Sequence, residues 1–280
     1  MMLRSSFRRV VRLVAVAGGV GLVAVAVAQQ PDKPVKPASY IPLADSTGTV
    51  KVEVSTPPAN GMEAFPKMIG DAKTAYGKVR DYAGHMVRQE RIGGKLQAEQ
   101  LTELRVRVQP FCVNVKVTKP LSLAGEETSY LSTKTRTTVR HRPAGTEGVR
   151  GFQTLEVNDA KVLKDTRHTM TEVGVMAVLE RIEKIVGTEK RLNHPVQILV
   201  SDYTFGDKPV TRFEVFTEFP HPAHYAQRCV VYIDKESKLP VRFEAYDVPK
   251  VGMVEGDMIE MQSFIGLKFN VGLGESNFER

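Results

Sequence analysis

Two histidines three residues apart, His221 and His224 in the segment FPHPAHY, form the one close pair of imidazoles in the sequence. Imidazoles at such spacing can begin a zinc site, yet no cysteine follows and the nearest acid, Glu218, completes no recognisable ligand spacing. The segment reads as a surface or ligand-facing loop, and no metal is implied. His85, His141, His168 and His194 stand apart from one another and read as polar surface residues. Glu90 and Glu103 flank Gly93-Gly94 and could meet across a hairpin, the arrangement in which paired carboxylates do acid–base work. Arg88, Arg91, Arg105 and Arg107 alternate around them, which favours cross-strand ion pairs on a wet face. The sequence holds no nucleophile elbow, phosphate-binding loop, dinucleotide fingerprint or paired-histidine zinc helix. An enzyme is therefore the weakest reading, with no catalytic residue and no cofactor implied.

Cys112 and Cys229 are the only cysteines. In an exported chain they are a candidate disulfide closing a long loop, worth about 4 kcal/mol in the chain-entropy view. Cys229 also alternates with Val231 and Ile233, a setting in which a free buried thiol is equally at home. Both readings stand at this level.

Export itself is read from residues 1–28. Arg4, Arg8, Arg9 and Arg12 form a basic start, Leu13 to Ala28 is apolar and small, and Ala26-Val27-Ala28 satisfies the small-x-small rule for signal-peptide cleavage between Ala28 and Gln29. The expected location is periplasmic or secreted. Subtracting the four leader arginines from the chain's +7 leaves +3, spread with both signs mixed. A nucleic-acid footprint would cluster its cations with aromatics, so no nucleic-acid partner is expected.

The elements that must position any site are mostly strands. Residues 29–60, rich in Pro, Lys, Ser and Thr, read as a mostly extended, disordered tether. Residues 61–280 read as one domain. Its first helix carries Ala64, Phe65, Met68, Ile69, Ala72 and Tyr76 at helical spacing. Leu104, Val106 and Val108, and then Phe111, Val113, Val115 and Val117, alternate with polar residues as half-buried strands do. A second helix follows the capping box Thr169-x-x-Glu172, with Val173, Met176, Leu179, Ile182 and Val186 on one face and Gly187 at its expected C-terminal cap. Phe213 and Val215 alternate with Arg212 and Glu214, Val241 and Phe243 with Arg242 and Glu244. The last strand runs from Ile259 to Leu273, with Leu267 and Phe269 inward and Glu260, Gln262 and Lys268 toward water. The fold class is mainly β (α+β): a curled antiparallel half-barrel of roughly ten strands, since accumulated twist disfavours a wide flat sheet, with about two helices on its concave face.

The order of a helix, then DYAGHMVRQERIGGKL, a strand ending in Val108-Gln109-Pro110-Phe111, the segment GEETSYL and the later hairpin VVYIDKESKLPVRFEAYD resembles the superfamily of periplasmic lipoprotein carriers (LolA-like, with the related RseB-type sensor domain). More closely, it resembles an uncharacterised family of exported bacterial proteins with no assigned activity. The likeness spans about Ala64 to Phe278. It implies an apolar cavity between sheet and helical lid, with Val106, Val108, Val113, Val115, Phe213 and Val215 facing inward. The implied partner is an apolar ligand such as a lipid or lipoprotein acyl chain, bound by a monomer. The carriers' strand arginine matches Arg88, Arg91, Arg105 or Arg107 without a unique choice. The alternative is a structural or sensory module with a filled core that contacts another envelope protein.

The leader carries a direct expectation. N-terminal sequencing of the exported protein returns Gln29 as its first residue, and a chain beginning at Met1 in the envelope fraction would overturn the cleavage reading.

Overall fold

The computed structural model describes residues 52–54, 58–217 and 224–279. The leader, its cleavage site at Ala28-Gln29 and most of the 29–60 stretch lie outside the described residues, as do Glu218 and His221. In chain order the elements are β1 (Val52–Val54), β2 (Ala59–Asn60), α1 (Ala64–Tyr76), β3 (Asp81–Ile92), β4 (Lys95–Leu96), β5 (Gln100–Arg107), β6 (Cys112–Lys119), β7 (Glu127–Leu131), β8 (Thr138–Arg142) and β9 (Gln153–Glu156). Then follow α2 (Ala160–Leu163), α3 (Val175–Arg191), β10 (Val196–Phe205), β11 (Lys208–Thr217), β12 (Arg228–Asp234), β13 (Pro240–Tyr246) and β14 (Met258–Phe269).

All strand pairs are antiparallel, and the path through the sheet is β1-β10-β11-β12-β13-β14-β3-β5-β6-β7-β8-β9, with β2 beside β10 and β4 beside β3. Two meanders, β3 to β9 and β10 to β14, are thus joined where the last strand returns to the middle and pairs with β3. The path is open, and the expected curled half-barrel with few helices is the observed class. β1 and β2, within the stretch read as tether, pair with β10.

The local patterns explain the first meander well. In β5, Thr102, Leu104 and Val106 are buried while Glu103, Arg105 and Arg107 are partly exposed, as strict alternation requires. The second meander departs from it. Arg212, Glu214, Arg242 and Glu244, expected at water, are all buried. They lie on the face opposite the helices beside Tyr203, Phe205, Val210, Val230, Tyr232 and Tyr246. Arg212 Nη1 pairs with Glu214 Oε2 at 2.6 Å and Arg242 Nε with Glu244 Oε1 at 2.5 Å. Their guanidiniums cover Tyr203 and Phe205, while Arg228 lies 4.1 Å over Tyr246. Planar guanidinium groups that are paired and stacked can be buried where a lysine could not.

The last strand also departs from expectation. Glu260 and Gln262 are buried, and the strand ends at Phe269. A register shift between Ile265 and Lys268, with Gly266 at φ +60°, restores the predicted alternation beyond it: Lys268 is exposed while Leu267 and Phe269 pack half-buried against the core.

The two longer helices, α1 and α3, cover one face. α1 buries Phe65, Met68, Ile69, Ala72 and Tyr76, and α3 buries Val175, Val178, Leu179, Ile182, Ile185 and Val186. The capping box is present but closes a single 3-10 turn over Met170–Glu172. α3 starts after Gly174, whose φ of 115° suits glycine, and it continues through Gly187 to Arg191. Gly187 is therefore a mid-helix residue and not a cap.

These two glycines give opposite expectations. A Cβ on Gly174 would stand 2.4 Å from the Tyr82 hydroxyl in addition to the strained φ, so Gly174→Ala costs at least about 2 kcal/mol. A Cβ on Gly187 meets nothing within 4 Å, so Gly187→Ala adds about 0.5–1 kcal/mol of stability. Denaturant unfolding of both variants checks the signs.

Candidate functional site

The six inward positions implied by the resemblance share the helix-covered face. Val106 on β5, Val113 and Val115 on β6, and Phe213 and Val215 on β11 are buried, and Val108 is half-buried against them. They belong to one continuous core with α1 and α3; Phe65 of α1 meets Phe213 edge-on at 6.1 Å. The floor is thus covered rather than open. A cleft of about 180 Å³ lies between α1 and β11, lined by Ala64, Met68, Phe213 and Ile233 among others. A second of about 160 Å³ is bordered by Phe205, Leu239, Val241, Phe264, Leu267 and Phe269. A space of about 20 Å³ lies among Val115, His168, Met170 and Val173. Each is below the roughly 300–1,000 Å³ of a small-molecule pocket.

What fastens the helical cover to the floor is polar. At the start of α3, the Tyr82 hydroxyl on β3 accepts the Val175 N–H at 3.0 Å, satisfying one of the donors that a helix start leaves open. Burial pushes the Tyr82 phenol well above its ordinary value, so it stays protonated. Nearly two turns further, Arg181 Nη1 donates to Glu260 Oε1 at 3.0 Å. Tyr225 donates to the same oxygen, and His168 Nε2 lies 2.5 Å from Oε2. Glu260 itself is 0% exposed. Its register partner on β3 is Glu90, whose carboxylate accepts from Thr166 Oγ1 at 3.1 Å and from the Arg167 N–H at 2.5 Å, with Arg88 Nη1 3.9 Å away. Two adjacent carboxylates at the centre of the sheet therefore hold residues 166–168 and α3.

Burial by itself would raise the Glu260 carboxyl, but the His168 hydrogen bond, the Arg181 charge and the Tyr225 hydroxyl outweigh it and hold the group below its ordinary 4.5. A carboxylate kept ionised with both oxygens occupied is a fastening rather than a proton acceptor. Burial also pushes the Cys229 thiol up, which removes it as a nucleophile.

A second cluster lies at the other end of α3. Glu189 is 1% exposed, and its Oε2 is 2.9 Å from His224 Nε2 and 3.4 Å from His194 Nδ1, with the two ring nitrogens 3.3 Å apart.

Residues 79–280 match the model of a protein family described only as a protein of unknown function, DUF1571. The chain belongs to the DUF1571 family. The family assignment agrees with the resemblance to a family of no assigned activity. No curated protein matches this member of the family. Among solved structures, it is similar to an uncharacterized conserved protein from Thermus thermophilus, at 13% identity over 78% of this chain and 93% of that one, TM-score 0.45. It is similar to MucB of the Pseudomonas aeruginosa MucA/MucB complex, at 12% identity over 78% and 61%, TM-score 0.45. It is also similar to the Mycobacterium tuberculosis lipoprotein LppX, at 11% identity over 76% and 98%, TM-score 0.43.

Several residues singled out from the sequence of this DUF1571 member fall elsewhere. Glu103 pairs with Arg105 at 3.1 Å on the wetter face, away from Glu90, so no carboxylate pair forms across the first hairpin. Cys112 and Cys229 are both free and buried. They sit on β6 and β12, five strand steps apart along the sheet and in separate apolar clusters, so the candidate disulfide does not form. Of the four arginines, Arg88 borders the inner space beside Val115 and His168. Arg105 and Arg107 bond Asn114 and Pro110, and Arg91 bonds the Met258 carbonyl. His85 alone of the isolated histidines is exposed; His141 and His168 are buried, the former 3.0 Å from Thr128 Oγ1, and burial lowers its affinity for a proton. Glu260, Tyr225 and Arg181 escaped sequence reasoning because nothing local couples them. Glu189 had a signal: it continues the buried stripe of Ile182 and Ile185 on α3 as a charge among apolar residues.

The pH response of the fastening is defined. A carboxyl whose folded value is depressed contributes stability fully above its unfolded value, and loses it as pH falls through the folded value. Glu260→Gln should therefore destabilise by roughly 3–5 kcal/mol at neutral pH, because it leaves Arg181 buried without a counter-charge. The gap from the native protein should narrow only below pH 4.5, which denaturant unfolding across that range measures.

Proposed function

We propose that this protein is a non-catalytic binding module of the cell envelope, acting after export, that takes an alkyl chain of a lipid or lipoprotein between α3 and the inner face of its sheet. The observation that supports this reading is how the cover is held. α3 lies on an apolar floor, yet its polar attachment to the sheet beneath it is gathered on two strands, at Tyr82 on β3 and at Glu260 on β14. Attachments of this kind break and re-form as a unit, and what they would uncover is Val and Phe surface. Such surface suits an alkyl chain, whereas a sugar's hydroxyls buried there without partners would cost several kcal/mol. The clefts described between α1 and β11 and beside Phe264 are small, and in this reading α3 lifts from its seat to admit the chain.

A second reading, a filled module that contacts another envelope protein, is favoured by the depth at which Val175, Val178, Leu179 and Ile182 are inserted. Titration of the delipidated protein with a fluorescent fatty acid separates the two. Saturable binding displaced by unlabelled fatty acid, and faster in Tyr225→Phe, is the expected outcome. Absence of saturable binding in both proteins would leave the filled module as the better reading.

A further inference from the structure

We infer that Glu189, His194 and His224 form a binding site for a divalent first-row metal ion, zinc by its ligand chemistry. Three elements bring them together. Glu189 sits in the last turns of α3, on its buried stripe. The chain then turns through Asn193 at φ +54°, and the His194 N–H bonds back to the Glu189 carbonyl at 3.0 Å, which seats the His194 ring beside the Glu189 side chain. His224 arrives from the segment leading into β12.

The three donor atoms form a triangle with edges of 2.9, 3.3 and 3.4 Å. A tetrahedral zinc with bonds of about 2.0–2.1 Å sets its donors about 3.3–3.4 Å apart. The two imidazoles meet edge to face, 74° between planes, so nitrogens converge rather than ring faces. One acceptor of the cluster is left unsatisfied. The imidazoles contact each other, while Glu189 Oε2, buried and within ion-pair distance of both, receives no hydrogen bond in proper geometry. A buried carboxylate oxygen left in that state is costly, and a cation between the three atoms removes the cost. Two imidazole nitrogens and one carboxylate suit zinc far better than magnesium or calcium, which favour all-oxygen shells.

The other group of potential ligands, Glu90, His168 and Glu260, does not make the same case. Arg181 donates to Glu260 and Arg88 lies beside Glu90, so cationic side chains already supply the charge a metal would bring. No arginine or lysine pairs with Glu189 among the described ion pairs. Zinc at Glu189 would tie the end of α3 to the segment before β12 and leave a fourth position for water.

The test uses the full exported chain without a histidine tag, stripped with a chelator and titrated calorimetrically with zinc alone. One equivalent should bind and raise the thermal midpoint, since zinc is expected to bind the folded state. Cobalt should give the intense visible bands of a four-coordinate ion. Glu189→Gln and His224→Ala should each weaken binding beyond the roughly 10–100-fold that loss of an outer partner costs, while His85→Ala, remote and exposed, should bind as the native protein does. His194→Ala, at a half-buried position, repeats the test should a buried variant fail to fold. Absence of saturable binding by the native chain, a six-coordinate cobalt spectrum, or unchanged affinity in the folded ligand variants would overturn the assignment.

Discussion

Glu90 and Glu260 stand side by side on β3 and β14, buried where the two meanders join. Two carboxylates in that position repel each other and lose their water, so the fold must deliver donors to both. It does so with Arg88 from the same strand, with Thr166 and the Arg167 N–H from the segment before α3, and with Arg181, His168 and Tyr225 from three separate parts of the chain. The path of residues 166–168, the placement of α3 and the seating of Tyr225 all follow from meeting that demand.

The same demand shapes how the helical cover can move. An α3 held only by Val178, Leu179 and Ile182 could slide with little change in contact, because apolar packing is non-directional. Hydrogen bonds to Glu260 and Tyr82 fix its rotation and register, and Gly174 is the residue that lets the Tyr82 hydroxyl approach its first turn. Any departure of α3 from the sheet would therefore have to break these contacts together. The cluster at Glu189 lies beyond these contacts, near the opposite end of the helix, so the two ends are held by different chemistry.

The opposite face of β10–β13 shows a second way to bury charge. There Arg212, Arg228 and Arg242 alternate with Glu214 and Glu244 and lie over tyrosine and phenylalanine rings, so each guanidinium has both a partner and a surface. No helix is needed over this face, because the long side chains cover it themselves.

The period-two alternation of β5 and the apolar spacing of α1 and α3 are consequences of chain geometry within a few residues, and they determined the class and the two covering helices, whereas the inward set from Val106 to Val215 was implied by the family resemblance. The exposure of Lys268 beyond the bulge was legible for the same reason. The start and end of α3 were not, because Gly174 is chosen by contact with Tyr82, 92 residues earlier in the chain, and Gly187 has the room to stay helical. Where both faces of the sheet are covered, alternation no longer separates inside from outside, so Glu260, Arg242 and Glu244 could not be placed from their neighbours in sequence. His168 and Glu260 lie 92 residues apart, and His194 and His224 lie 30 apart. Only the tertiary structure brings such groups together, because a buried charge is stabilised by whichever donor reaches it through space, and no local pattern encodes that distance.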